Sequence, residues 1–361
     1  MSLDRITLST FRNHAETRLD GTAQFNLLVG ENGAGKTNIL EAISLFAPGR
    51  GLRRAALPDM ASKDGNGGFG VNAMLDPGDG GEPITLGTGT RADRPGRRLV
   101  HVNRAEATAI GLGEWLAMGW LTPAMDGLFT DSKTTRRRYM DRLAVAINPA
   151  HARHANRYEG ALRERNRLLS DEREPDPAWL DSIEDQLADA GTTLTEGRQV
   201  LVEMLSTKLS REPEEPFARP ILTYVPGGPV TYHGMLAELK RQRPRDRAAR
   251  RTLTGPHRDE LEVVMTGKDA PAAQCSTGEQ KAMLIAMTLA HAELAAGGRP
   301  GVLLLDEVAA HLDPVRRAAL FDRLAASRTQ VWLTGTELAP FEDIAASAAT
   351  WRVTDGGVEL V

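Results

Sequence analysis

The 361-residue chain has one cysteine, Cys275, so it can form no intramolecular disulfide, and no Cys/His cluster has zinc-site spacing. A reducing, cytoplasmic setting is expected. Long hydrophobic runs are missing too. The longest apolar stretch, near Met283 to Ala296, is interrupted by Thr288, His291 and Glu293 and falls short of the roughly 20 residues a membrane span needs. Residues Met1 to His14 mix Asp4, Arg5 and Arg12 with isolated apolar residues and lack the core of a signal peptide. Neither export nor membrane insertion is expected. No sign of charge dominates: 44 Lys and Arg face 48 Asp and Glu, a formal charge of −4, so any polyanion must be met by a local patch. Aromatic residues are only 5% of the chain. What is present is an ordinary globular composition, 41% hydrophobic and 25% charged, at a length of roughly two domains of about 150 residues each.

The N-terminal part reads strand, loop, helix. Phe25 to Val29 is a short apolar run, Gly30 to Gly35 is glycine-rich, and Ile39, Ile43 and Phe46 recur at helical spacing. Between Asp59 and Gly96, glycine, proline and aspartate punctuate short alternating pieces such as Val71 to Met74 and Ile84 to Leu86, which predicts an antiparallel β lobe. From Arg136 to about Ser210 the pattern is helical, and Pro175, Asp176 and Pro177 divide it into an αα-hairpin. Its second arm carries Leu180, Ile183, Leu187, Ala190, Leu194, Leu201 and Met204 at steps of three and four, with Gly197 in the series. The last quarter predicts a helix over Met283 to Leu294, a strand at Val302 to Leu305, a helix over Val315 to Ala325 and a strand at Val331 to Leu333. Strands alternating with helices predict a parallel sheet.

Gly30, Glu31, Asn32, Gly33, Ala34, Gly35, Lys36 and Thr37 fit G-x-x-x-x-G-K-[ST] between a predicted strand and a predicted helix. The glycines let backbone amides turn toward phosphates, and the helix start adds its dipole. Lys36 is expected to reach the β- and γ-phosphates of ATP, and Thr37 to ligate Mg²⁺. The strand at Val302 to Leu305 ends in Asp306 and Glu307, where a parallel sheet delivers side chains to ligands. Asp306 is expected to help hold the metal and Glu307 to act as general base. Ser276-Thr277-Gly278-Glu279-Gln280 resembles the signature motif of ABC-type ATPases, whose Ser and Gly contact the nucleotide of a second subunit. The same Ser276 to Glu279 spacing is also that of a helix capping box. His311-Leu312-Asp313 looks like the D-loop of those ATPases, where Asp313 would help pair two subunits, and it equally suits a helix start before Pro314.

Lys36 and Ser276 are 240 positions apart, longer than in transporter ATPase subunits and far shorter than in SMC proteins with long coiled coils. Phe11-Arg12-Asn13-His14, the P-loop, Glu41-Ala42-Ile43, Gly49-Arg50-Gly51-Leu52-Arg53, Arg136-Arg137-Arg138-Tyr139-Met140-Asp141 and Gly255-Pro256-His257-Arg258-Asp259 together resemble the bacterial RecF family, in the SMC-like branch of ABC-type ATPases. The resemblance implies an α/β ATPase head with an antiparallel β lobe and an inserted, mainly helical arm. The head would comprise residues 1–130 and 251–361, and the arm 131–250. It also implies ATP-dependent dimers, weak hydrolysis, DNA binding at single-stranded gaps in recombinational repair, and RecO and RecR as partners.

Two departures from the wider superfamily stand out. No glutamine lies between Gln24 and Gln186, so the Q-loop glutamine has no counterpart and Trp120 to Pro123 is the candidate for its place, and Thr334-Gly335-Thr336 follows the last predicted strand where many relatives carry histidine. The charge block Lys240 to Arg251, net +6, offers Arg243, Arg245, Arg247 and Arg250 as phosphate contacts; a charged run is also commonly just a solvated face. With no aromatic inside the block, base stacking is disfavoured. A transporter motor subunit and an ATP-dependent protein scaffold remain the alternative readings.

Overall fold

A computed structural model describes residues 2–76 and 80–361. In chain order these form β1 (Ser2–Phe11), β2 (His14–Leu19), β3 (Phe25–Val29), α1 (Lys36–Ser44), β4 (Phe69–Asp76), β5 (Ile84–Arg91), β6 (Arg94–Val102), β7 (Ala105–Glu106), α2 (Leu112–Trp115) and β8 (Ala117–Leu121). There follow α3 (Lys133–Ile147), α4 (His151–Ser170), α5 (Pro177–Leu209), β9 (Pro220–Val225), α6 (Tyr232–Ala248), β10 (Glu260–Met265), β11 (Ala270–Pro271) and α7 (Thr277–Ala296). The chain closes with β12 (Gly301–Leu305), α8 (Pro314–Ala326), β13 (Gln330–Gly335), α9 (Glu342–Ala345), β14 (Ala348–Thr354) and β15 (Gly357–Leu360).

Two compact units result. The first holds residues 1–126, 213–217 and 284–361, and the second residues 127–212 and 218–283. The first unit resumes at Leu284, within α7. In the second unit β10 runs antiparallel to β9 from Glu260–Val225 to Met265–Pro220, and β11 adds a third strand. The segment leading to Ser276 therefore belongs with the helical unit.

In the first unit, one sheet has the order β15-β14-β3-β13-β12-β8. Its strands are parallel except for β15, and their carboxyl ends align, with Val29 beside Gly335 and Leu305 beside both Leu333 and Leu121. The second sheet, β2-β1-β4-β5-β6-β7, is antiparallel throughout, as the turn-rich sequence predicts; residues 77–79 of that lobe lie outside the described set. Leu3, Ile6 and Leu8 of β1, Val71 and Ala73 of β4, and Ile39, Leu40 and Ile43 of α1 share one buried core with Trp332 and Trp351, whose rings stack 5.5 Å apart.

The second unit departs from a simple hairpin. The first predicted arm is two helices, α3 and α4, because the chain breaks at Asn148 and Pro149, whose ring cannot continue a helix. The second arm is α5, capped by Asp176 accepting from Ala178 N, with Pro177 at its first position. Leu180, Ile183, Leu187, Ala190 and Leu194 are buried against Tyr158, Ala161 and Leu168 of α4. Beyond Gly197 the buried series slips to Leu201 and Leu205, leaving Met204 half-buried, as a period of 3.6 rather than 3.5 requires.

Candidate functional site

All parts of the P-loop site lie in the first unit. Beyond Val29 the chain turns through residues 30–35 into α1. Gly30 N donates to Gly335 O at 3.2 Å, and a Cβ on Gly30 would lie 2.1 Å from Val353 O, so only glycine fits. Gly35, at φ 115°, forms the N-cap of α1 with no side-chain bond to the helix start and no acid in the first turn. Those first amides thus carry the positive end of the dipole without a side-chain counterpart, the environment a phosphate prefers. Lys36 folds back over the loop, its Nζ donating to Gly30 O at 2.6 Å and Glu31 O at 2.8 Å. Burial lowers its pKa, while the charges of Glu307 and Asp306 oppose that shift.

The loop is backed by the turn after β1. Asn13 Nδ2 donates to Ala34 O at 3.1 Å, and buried His14 sits between Gly35 O at 3.1 Å and Gly356 O at 2.8 Å. Arg12 makes two bonds of 2.9 and 2.8 Å to fully buried Glu41, which Arg53 also reaches at 2.9 Å. Three of the sequence strings identified above thus meet in one network behind the P-loop.

Asp306 leaves β12 at the same edge, its N–H donating to Leu121 O at 2.9 Å. Thr37 Oγ1 donates to its carboxylate, 2.9 Å from Oδ1 and 3.1 Å from Oδ2. Thr334 Oγ1 donates to Oδ1 at 2.8 Å and accepts from Glu307 N at 2.8 Å. Burial raises the Asp306 pKa and the Glu307 charge pushes the same way, against the two hydroxyl bonds. Glu307 itself has φ 53°, unusual for a residue with a Cβ. The oxygens of Thr37 and Asp306 could hold a hard divalent cation, and the uncapped amides with Lys36 could hold a phosphate chain. Sequence reasoning missed Thr334 as a member of this site; its position directly after an apolar strand, where the superfamily histidine is absent, was the one available signal.

In the second unit Ser276 starts α7. Its N–H donates to Glu279 Oε2 at 2.9 Å, and Glu279 N to Ser276 Oγ at 3.4 Å, so the capping box is formed. Lys268 pairs with Glu279, and that bond together with the bonds from Ser276 pulls the Glu279 carboxyl down to about 2. A Cβ on Gly278 would meet nothing within 4 Å among the described residues, so none of them demands glycine there. In the first unit Asp313 caps α8, accepting from Arg316 N at 2.9 Å.

The four arginines of the basic block differ from one another. Arg243 binds Glu184 and Asp181, and Arg247 donates to the carbonyls of Glu172 and Arg173. Arg245 and Arg250 are exposed. The lone acid of the block, Asp246, is fully buried and accepts from Arg165 at 2.6 Å. Arg136 is likewise committed to Glu260 at 2.7 Å, and Arg137 to Asp259 O at 3.0 Å.

The RecF/RecN/SMC N-terminal domain family matches residues 2–354. The DNA replication and repair protein RecF of Brucella abortus (strain 2308) is 44% identical over 369 residues, covering 99% of this chain and 95% of that protein. That of Rhizobium leguminosarum bv. trifolii (strain WSM2304) is 44% identical over 374 residues, covering 99% and 98%. Among solved structures, the recombination mediator protein RecF-ATPrS of the RecFOR pathway superposes with a TM-score of 0.88 at 22% identity, covering 100% of this chain and 98% of that one. An SMC head bound to the C-terminal winged-helix domain of ScpA gives 0.57 at 18% identity, covering 100% and 97%. At those identities the likeness is one of fold, the ABC-type ATPase head.

Proposed function

The chain belongs to the RecF family of DNA replication and repair proteins, and on that premise we propose that it is an ATP-driven switch that binds DNA in recombinational repair. The observation that carries the reading is convergence at one sheet edge: an uncapped helix start, Lys36, and the Thr37 and Asp306 oxygens 2.9 Å apart. Lys36 neutralises the β- and γ-phosphates and the amides of residues 33–37 cradle them. A bound Mg²⁺, held by Thr37 and Asp306, would offset charge between these phosphates. Glu307 accepts the proton of the attacking water. Hydrolysis is slow and times release.

Ser276, Gly278 and Asp313 act in trans, on the nucleotide held by a second copy. Ser276 and Asp313 already serve as helix caps, so their second role begins only on dimerisation; the open space beside Gly278 fits close approach of another chain. Among the DNA-contacting arginines, Arg245 and Arg250 are the readiest, while Arg243 and Arg247 would first have to exchange internal partners. The substrate is single-stranded or gapped DNA, with RecO and RecR as cytoplasmic partners, in keeping with the RecFOR pathway to which the structural relative belongs. No helix among the described residues is long and apolar enough to cross a membrane, and no observation favours a transporter subunit or a DNA-free scaffold.

Sedimentation with and without ATP tests this. Wild type should shift from monomer to dimer on adding ATP, whereas Ser276→Arg should bind ATP through Lys36 and Thr37 yet stay monomeric. ATP-driven Ser276→Arg dimers as stable as wild type would return Ser276 to a helix cap alone.

A further inference from the structure

Thr334 is a strand residue, paired with Leu28 of β3 and 1% exposed, and its hydroxyl has two partners. The chemistry of those partners fixes the direction of both bonds. An ionised carboxylate only accepts and a backbone N–H only donates, so the single hydroxyl hydrogen goes to Asp306 Oδ1 at 2.8 Å, and a lone pair takes Glu307 N–H at 2.8 Å. Glu307 is held at φ 53°, a left-handed conformation that a residue with a Cβ keeps only when its surroundings impose it. The bond from its N–H to Thr334 is one such restraint. Thr334 is itself stiff, because a β-branched side chain on a strand has few rotamers.

We propose that Thr334 is a positioning residue for ATP hydrolysis: one buried hydroxyl ties the Asp306 carboxylate to the Glu307 peptide, so that the two acids leave the strand in different directions and keep separate tasks. The inference rests on the nucleotide-site reading above. Valine has the same shape and suits a strand, but it removes both bonds, so Thr334→Val separates the hydrogen bonding from the packing.

Three readouts apply to Thr334→Val and Thr334→Ser. Fluorescent ATP binding without Mg²⁺ should stay within about twofold of wild type in both, because the phosphate cradle is untouched. Single-turnover hydrolysis should fall about 10- to 100-fold in Thr334→Val, the range for lost outer-shell support, and recover in Thr334→Ser. Amide exchange of the peptide 303–310, measured on the nucleotide-free chain, should accelerate in Thr334→Val and not in Thr334→Ser. In a Glu307→Gln background Thr334→Val should cause a smaller loss of turnover than in wild type, because only the bond to Asp306 then matters. If Thr334→Val does not fold, Thr334→Cys, a weak hydrogen-bonding group of similar size, carries the same expectation.

Wild-type hydrolysis in Thr334→Val, unchanged exchange, or an equal loss in the Glu307→Gln background would each overturn the assignment. A wild-type chain without hydrolysis, or with hydrolysis that survives Glu307→Gln, would instead overturn the nucleotide-site reading.

Discussion

Lys36 and Glu307 sit at the same sheet edge, and the proposed function gives them different work that substitution should separate. Lys36→Ala removes the cation aimed at the phosphates, so ATP affinity should fall about 10- to 100-fold, the worth of one or two charged hydrogen bonds. Glu307→Gln leaves the cradle intact; affinity should stay within about twofold while turnover falls about 10²- to 10⁴-fold. Isothermal titration and a phosphate-release assay check both, and equal ATP affinity in wild type and Lys36→Ala would refute the assigned cradle. Gly30 to Thr37 were legible in the sequence because the motif is contiguous and its flanks are local. Thr334 was not, since its bonds reach back 28 positions to an acid that only sheet pairing brings near. The ion pairs of Arg243 were not legible either, because its acids, Asp181 and Glu184, are some 60 residues away on another helix.

Elements whose hydrophobic pattern is self-sufficient were read correctly, among them β3, α1, β12, α8 and β13. Ala117–Leu121 and Ala348–Thr354 escaped, because neither is a run of β-branched residues and each is a strand through its parallel partner, β12 or β3. The short helical turn Pro256–Arg258 shows how an element can carry pH dependence. His257 accepts from Tyr158 Oη at Nδ1, 2.8 Å away, and donates from Nε2 to Thr252 O at 2.9 Å, an arrangement for neutral imidazole. Burial lowers its pKa to about 4, helped by the charges of Arg258 and Arg137 and opposed by the Thr252 bond. The unfolded chain, with a histidine pKa near ~6.5, binds this proton more readily, so stability is full above about pH 6.5 and falls as pH drops toward 4, by about 3 kcal/mol. Urea unfolding of wild type and His257→Gln between pH 7 and 4 should show a shallower acid loss in the variant; identical slopes would place the proton elsewhere.

Across the whole molecule, the balanced charge and the division into two units set the terms for function. A net charge of −4 provides no general attraction to DNA, so the proposed DNA binding would rest on local surfaces such as Arg245 and Arg250 and on the nucleotide state. The pairing of β9 with β10, which draws residues 218–283 into the second unit, was not legible in the sequence, because it is a long-range fact. The central claim is that ATP at the Lys36 site governs DNA binding. Fluorescence anisotropy of a gapped duplex, titrated with wild type and Lys36→Ala at one fixed salt concentration, with and without ATP, tests it most directly. ATP should tighten wild-type binding about tenfold or more and leave Lys36→Ala unchanged; DNA affinity that is the same with and without ATP, in a wild-type chain that binds ATP, would contradict the account.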